Sequence, residues 1–556
     1  MRAVLLAAGL ALLAGAADSP TRAVPQFEDR AAAAGLRIKL VSGDVEAKPY
    51  LVESVGGGLA ALDYNNDGWM DLYIPNGTTI SAARAGTPSA AGALYRNNGD
   101  GTFTDVIAEA GIRNPHWGKG ALAADFNGDG FADLYISNFG PNLLYLNNGD
   151  STFRDATKAA GVGDPRWSSG AAAADFDKDG DLDLFVANYV EYDLKNLPAE
   201  GKFCKYFGLK VACGPRGLKG AGNTLYRNNG DGTFGDVSVT AGISGTEGYY
   251  ALGAVWGDID HDGDADLFVA NDTTPRRVVY GTTDGDGTCG GNMPGESGLA
   301  FAKKDENKAD RQELELEDLD NDGWPDLMVT NFSDDYNSLY RNTGNGVFHD
   351  DSHQAGLVAD SWRDLSWGVG FFDFNNDGLK DVFVANGHIY PQVEGSPLNL
   401  RYRQLNKLYL NTAERRLLNV SAKAGPGLAL RRSFRGAAFA DFNNDGQMDV
   451  AVSALDDAPA LLINRGTPGN HWLMVRAEGA GANRNAVGAR ITVTTPSAIQ
   501  TREIKAGGSF ASTNDPRAHF GLGVHTMAGS VQVQWPSGRE SVLKNVRSNQ
   551  ILTIRE

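Results

Sequence analysis

The chain has 556 residues, 42% hydrophobic and 21% charged, with a formal net charge of −19. That composition is globular and long enough for more than one domain. With no basic stripe and no recognition motif, it excludes nucleic acid as a partner. Seventy glycines and few helix-period apolar runs predict an all-β chain of short strands and many turns.

The first element is an exception. Met1-Arg2 precedes an apolar run from Ala3 to Ala14 and the small triplet Ala14-Gly15-Ala16. This reads as a signal peptide over 1–16, cut after Ala16 or Ala17, and predicts a secreted, periplasmic or cell-surface protein. No later stretch reaches transmembrane length, so no membrane helix is expected after signal cleavage.

From Asp63 onward one pattern, Asp-x-(Asn/Asp)-x-Asp-Gly-x-x-Asp, occurs seven times. Its oxygen-bearing positions 1, 3, 5 and 9 are Asp63, Asn65, Asp67 and Asp71, then Asp125, Asn127, Asp129 and Asp133, then Asp175, Asp177, Asp179 and Asp183. The fourth and fifth copies supply Asp258, Asp260, Asp262 and Asp266, and Asp318, Asp320, Asp322 and Asp326. The last two supply Asp373, Asn375, Asp377 and Asp381, and Asp441, Asn443, Asp445 and Asp449. Four oxygens gathered around a glycine turn suit a hard cation, and calcium is the expected ion, up to seven per chain. Its expected role is structural. The loops are not EF-hands, because the bidentate Glu at position 12 is missing and strands flank each loop. Of the 69 acidic residues, 24 are Asp at these positions, so seven divalent cations would bring the net charge from −19 to −5.

Each loop sits in a longer unit. A Phe-x-Asp-x4-Ala-Gly lead recurs at Phe27, Phe103, Phe153, Phe234 and Phe348, and the fifth unit has only the partial match Phe301 to Asp305. A glycine lies five residues before the first ligand at Gly58, Gly120, Gly170, Gly253, Gly368 and Gly436; Glu313 replaces it in the fifth unit, which is therefore expected to be distorted. A short apolar strand follows each loop, and then Leu-Tyr-x-Asn, as at Leu94 to Asn97 and Leu144 to Asn147. Each unit thus holds four strands, at an average spacing of 63 residues. Seven four-stranded units predict a seven-bladed β-propeller over 27–466. The N-terminal Phe27 strand is placed to complete the last blade beside Leu461 to Asn464.

The meander puts the metal loops on one face and the insertions on the other. Cys204 and Cys213 lie in the longest insertion; they are placed to pair, leaving Cys289 odd, or all three stay as free thiols. On the insertion face the connectors bring His116, Trp117, Arg166, Trp167, Tyr249, Tyr250, Trp362, Arg363, Trp367 and Arg435 toward the central mouth. These are the candidate ligand-face residues; the alternative is that the aromatics pack between blades.

The tail, 470–556, is β-rich, with alternating segments at Arg490 to Thr494 and Val531 to Trp535 that predict a small sandwich or barrel. His519, without assembled partners, reads as structural.

The repeats resemble FG-GAP/VCBS repeats, the blades of the integrin alpha-subunit propeller. Gly507-Gly508-Ser-Phe510, His519-Phe520-Gly521-Leu522-Gly523 and Val533 to Gly538 resemble an ASPIC/UnbV domain. The order propeller then ASPIC/UnbV is that of the cartilage acidic protein family, and the resemblance implies metal loops on the face opposite the ligand. It leads to a secreted, calcium-stabilised binding or adhesion module for a protein or glycan ligand. Two alternatives stay open. One is a polysaccharide lyase, with His116, Arg166, Arg363 and Arg435 as candidates by position; the other is a scaffold whose tail docks another exported protein.

Overall fold

The computed structural model describes residues 23–198, 202–243, 249–273, 277–279, 311–344 and 347–556. The signal segment, Cys289 and the Phe301 to Asp305 lead lie outside the described residues.

Seven antiparallel sheets follow one another along the chain. Their innermost strands are Ala60–Leu62, Trp117–Ala124, Ser168–Ala174, Ala251–Gly257, Arg311–Glu317, Ser366–Phe372 and Phe434–Ala440. Each packs on the next, and the seventh packs on the first, so the ring is closed. Six sheets have four strands and the fourth has three among the described residues. The second strands, such as Asp183–Asn188 and Asp266–Asn271, are buried along their whole length. Covered by a neighbouring sheet on either side, they read as continuous apolar runs rather than alternating ones.

The seventh sheet joins the two ends of the ring. Phe27–Asp29 pairs antiparallel with Ala460–Asn464, Phe27 opposite Asn464, as the order of motifs in the sequence suggests. The fifth sheet is not distorted by Glu313. It has four strands, and its innermost strand carries the same register shift, between Arg311 and Glu313, that falls at the glycine position in the second, third and fourth sheets.

The tail forms two further sheets. His471–Glu478 lies between Ala518–Gly523 and Ile551–Arg555, and Arg490–Thr494 lies between Ile499–Glu503 and Met527–Gln534, with Glu540–Arg547 at the edge. Leu473, Val475, Ile491, Val493, Phe520 and Trp535 pack between them. No described helix is long and apolar enough to cross a membrane.

The tail docks on the metal-loop face of its own propeller. The loop between Glu503 and Ala518 enters the ring. Ala121 N–H donates to Ala511 O at 3.0 Å, Ala61 N–H to Thr513 O at 3.0 Å, and Asp515 N–H to Phe439 O at 2.9 Å. The recurrent glycines make this possible. A methyl group on Gly58 would run into the Ala511 carbonyl, and one on Gly120 would lie 2.8 Å from the Ala511 Cβ. Gly368 and Gly436 face Ser509 and Ser512 in the same way.

The mouth on the opposite face is capped by the short helical turn Leu51–Glu53 and its flanks. Lys119 Nζ donates to Val52 O and Val55 O at 2.8 and 2.9 Å, with Trp117 4.3 Å beneath it. Arg435 Nε donates to Ser54 O at 3.1 Å while its guanidinium lies 4.4 Å over Trp367. The two inserted segments meet, because Phe510 packs in the same core as Leu51, Val52 and Val55.

Candidate metal centres and binding face

Every loop is built by its own backbone before any ion is considered. In the first, Asp63 accepts from Asp67 N–H and Gly68 N–H, both at 3.0 Å, and Asp67 accepts from Trp69 N–H at 2.9 Å. Position 4 turns left-handed, at φ +55° in Asn66 and +53° in Asn444, and position 6 is a glycine at φ +87° in Gly68. Asn tolerates that region better than most side chains, and it has a second use here. Asn66 Nδ2 donates to Gly130 O of the next loop, Asn321 to Gly378 O, Asn376 to Gly446 O and Asn444 to Gly68 O.

The Leu-Tyr-x-Asn motif has a role that its spacing does not reveal. The Asn backbone N–H is held by the position-9 carboxylate, as Asn97 is by Asp71 at 2.7 Å. Its side chain then donates to the position-2 carbonyl of the preceding blade's loop: Asn97 to Phe442, Asn147 to Tyr64, Asn228 to Phe126, Asn342 to Ile259, Asn411 to Leu319 and Asn464 to Phe374. Six asparagines therefore staple neighbouring loops together, at 2.7–2.9 Å each.

These carboxylates fit a cation. Asp175, Asp177 and Asp183 bring oxygens within 4.8 Å of one another, as do Asp258, Asp260 and Asp262; Asp318, Asp320 and Asp322 do so too, but with the Arg341 guanidinium 3.4 Å from Asp320. Asp175 Oδ1 and Asp258 Oδ1 are buried with no hydrogen-bond partner. Burial pushes the position-9 groups up, Asp71 and Asp326 to about 8 and Asp183 to about 9. Carboxylates that burial would keep neutral become stable anions beside a divalent ion. The set is all oxygen, which selects a hard cation over zinc or copper. Acidic clusters able to bind metal are thus present where the sequence places them.

The candidate ligand-face residues divide in two. Trp117, Trp167, Tyr250, Trp367 and Arg435 are at most 7% exposed and belong to the core beneath the cap, so they offer no ligand platform. Inter-blade and cap packing accounts for them. His116, Arg166, Tyr249 and Trp362 are half-buried and Arg363 is exposed. Arg166 is spent on structure, with Nε 2.8 Å from Asp164 Oδ1. Cys204 and Cys213 form a disulfide. His519 is buried, with Nε2 3.1 Å from Gly446 O, at the contact between tail and propeller.

Sequence reasoning missed a different group of residues on this face. Tyr206, Phe332, His388 and Tyr390 cluster beside the cap, with Tyr206 5.9 Å from Phe332 and 5.5 Å from Tyr390 between ring centroids. They come from the connectors of three blades with no shared motif. The signal available was the disulfide-sized spacing around Tyr206.

Comparison with known proteins follows the same division. Residues 63–136, 125–186, 211–269 and 318–384 match the FG-GAP-like repeat, and 479–556 match ASPIC and UnbV. Cartilage acidic protein 1 of Mus musculus is 29% identical over 272 residues, 40% of this chain and 41% of that protein. The Homo sapiens protein of the same name is 29% identical over 272 residues, 40% of each. The chain thus spans about two fifths of the length of these curated relatives. Among solved structures, an Agrocybe aegerita lectin recognising non-reducing terminal N-acetylglucosamine is 15% identical, covers 85% of this chain and 95% of its own, and has a TM-score of 0.37. Bacillus licheniformis rhamnogalacturonan lyase PL11 is 13% identical, covers 79% and 75%, and also has a TM-score of 0.37. The chain thus carries FG-GAP-like repeats followed by a C-terminal ASPIC/UnbV domain.

Proposed function

We propose that this protein is an exported binding module, stabilised by up to seven calcium ions, that takes its ligand on the face opposite the metal loops. The observation that carries this reading is the division of the two faces. The tail covers the metal-loop side, with Arg476 Nη1 3.7 Å from Asp63 Oδ2 and Arg517 Nη2 3.2 Å from Asp441 O. The insertions leave the other side open beside the cap. Export is supported by the signal-like first 16 residues and by the Cys204–Cys213 disulfide, which suits an oxidising compartment.

The geometry supports binding over hydrolysis. Ser333 Oγ lies 3.1 Å from His388 Nε2, a pairing that resembles a nucleophile and its base. However, His388 Nδ1 accepts from Tyr390 N–H at 3.0 Å, so in the neutral ring Nε2 carries the proton. It donates to Ser333 and cannot take a proton from it.

The test is incubation with immobilised proteins and with neutral and acidic polysaccharides, in calcium and in chelator. Saturable binding without product formation supports the reading. Release of unsaturated oligosaccharide, read by its ultraviolet absorbance, overturns it in favour of a lyase.

A further inference from the structure

We propose that the cavity beside the cap is a saccharide site and that its ligand is neutral. This rests on the binding-module reading and assigns that module's site and ligand class.

The cavity measures about 610 Å³, within the range of small-ligand sites. One wall is the hairpin Cys204–Tyr206 and Leu209–Val211, clipped by the Cys204–Cys213 disulfide. In contact with it stand Phe332, Ser333 and Asp334, which follow the second strand of the fifth sheet, and Tyr390 from the sixth-sheet insertion. Trp367 and Tyr189 touch it only from the buried core and present no free face to a ligand.

Three features mark it as built rather than left over. Phe207 stands 66% exposed at the hairpin turn, with its ring 4.9 Å from Tyr206. Phe203, 54% exposed at the start of the same disulfide-braced segment, makes a second exposed aromatic there, and paired exposed aromatics mark a contact surface more than one alone would. Next, Phe207, Thr273 and Asp334 all hold left-handed backbone, at φ +44°, +57° and +67°. Asp takes that region readily, but Phe and Thr do so rarely, so the surrounding fold must hold Phe207 and Thr273 there. Finally, Tyr206 OH donates to Asp334 Oδ2 at 2.8 Å and lies 3.0 Å from Ser333 Oγ. These bonds fix the ring at an angle that packing alone would not specify.

The lining chooses the ligand. Carboxylates of Asp272, Asp334 and Asp335 share the walls with Lys205 and Arg216. An acidic ligand would meet three carboxylates. A simple cation would meet two basic side chains and would find Asp334 already engaged by Tyr206. An all-apolar ligand would bury the polar wall without pairing it. A sugar ring satisfies both kinds of surface, since its C–H face covers an aromatic ring and its hydroxyls pair with carboxylate and guanidinium groups.

The experiment is calorimetry of the full chain in calcium against neutral gluco-, galacto- and manno-oligosaccharides and against acidic oligosaccharides, with Phe207→Ala, Tyr206→Phe and Asp334→Asn. Melting temperature and calcium content serve as folding controls. The expected result is binding of a neutral oligosaccharide, weakened at least tenfold by Phe207→Ala and by Asp334→Asn at unchanged melting temperature. Tyr206→Phe keeps the ring and loses only the hydroxyl, so its effect is smaller. Neutral binding that survives all three variants overturns the site while leaving the binding-module reading intact. Binding of acidic saccharides alone, or of none at millimolar concentration, overturns the ligand class. The broader reading fails separately, on product release.

Discussion

Arg341 places Nη1 2.7 Å from Asp326 Oδ2 and 3.4 Å from Asp320 Oδ2, inside the fifth metal loop. Its side chain is 7% exposed, and Arg415 reaches the same Asp320 at 2.9 Å. The equivalent Arg96 and Arg227 of the first and third blades are exposed. In the fifth loop a guanidinium therefore stands against positions 3 and 9, where a metal ion would draw its oxygens. Wild-type protein is expected to hold six calcium ions per chain, and Arg341→Ala seven. Metal analysis after gel filtration in calcium decides it, and seven ions in both proteins would sink the idea.

Phe510 is fully buried at the centre of the ring, its centroid 4.8 Å from Trp367. Truncating a buried phenylalanine costs about 3–5 kcal/mol, and here the void would open where the tail loop and the cap meet. Phe510→Ala is expected to lower stability by that amount and to shift the emission of Trp367. Guanidinium unfolding followed by tryptophan fluorescence measures both. A change under about 1 kcal/mol would mean that the loop is not held in the ring.

How far the sequence reaches depends on how local the physics is. A cation demands fixed oxygens at fixed spacing, so Asp63 to Asp71 and its six counterparts are legible from the chain alone. The closing sheet is legible too, because Phe27 repeats the lead found at Phe103 and Phe153. The docking of the tail is not. Gly58, Gly120 and Gly170 are spread over 112 residues, and Ala511 carries no periodic signal that names them as its neighbours. Trp117, Trp167 and Trp367 look alike in sequence whether they line an open mouth or a sealed one. Their burial is decided by Leu51 to Val55, a segment with no motif.

His388 supplies a pH dependence. Burial first, then the nearby Arg435 charge, lowers it from 6.5 to about 3. The folded value lies below the unfolded one, so the native state binds fewer protons between them. The contribution is complete above pH 6.5 and is lost as pH falls toward 3, at up to about 1.4 kcal/mol per pH unit. Glu315, raised by burial to about 7, works in the opposite sense from pH 4.5 to 7. Subtracting the stability of His388→Gln from that of wild type at each pH removes such common terms. The difference is expected to fall steadily from pH 6.5 to 4, and a flat difference would show that His388 titrates normally in the folded protein.

Calcium removal tests the loops as a set. In each, buried carboxylates such as Asp71 and Asp133 crowd together, and the asparagine staples tie that loop to its neighbour. An ion that binds only the folded chain adds about 1.4 kcal/mol at ten times its Kd and about 2.7 kcal/mol at a hundred times. Several such sites act together through Asn97, Asn147 and their counterparts, so chelation is expected to lower the melting temperature by more than any single site would. Neutralising one loop with Asp175→Asn and Asp177→Asn should reproduce only a fraction of that shift. The tail should also loosen, because Arg476 and Arg517 dock against the first and seventh loops. Calorimetry in calcium and in chelator, with limited proteolysis of the tail in parallel, reads both effects, and a melting temperature indifferent to chelator would remove calcium from the account of this fold.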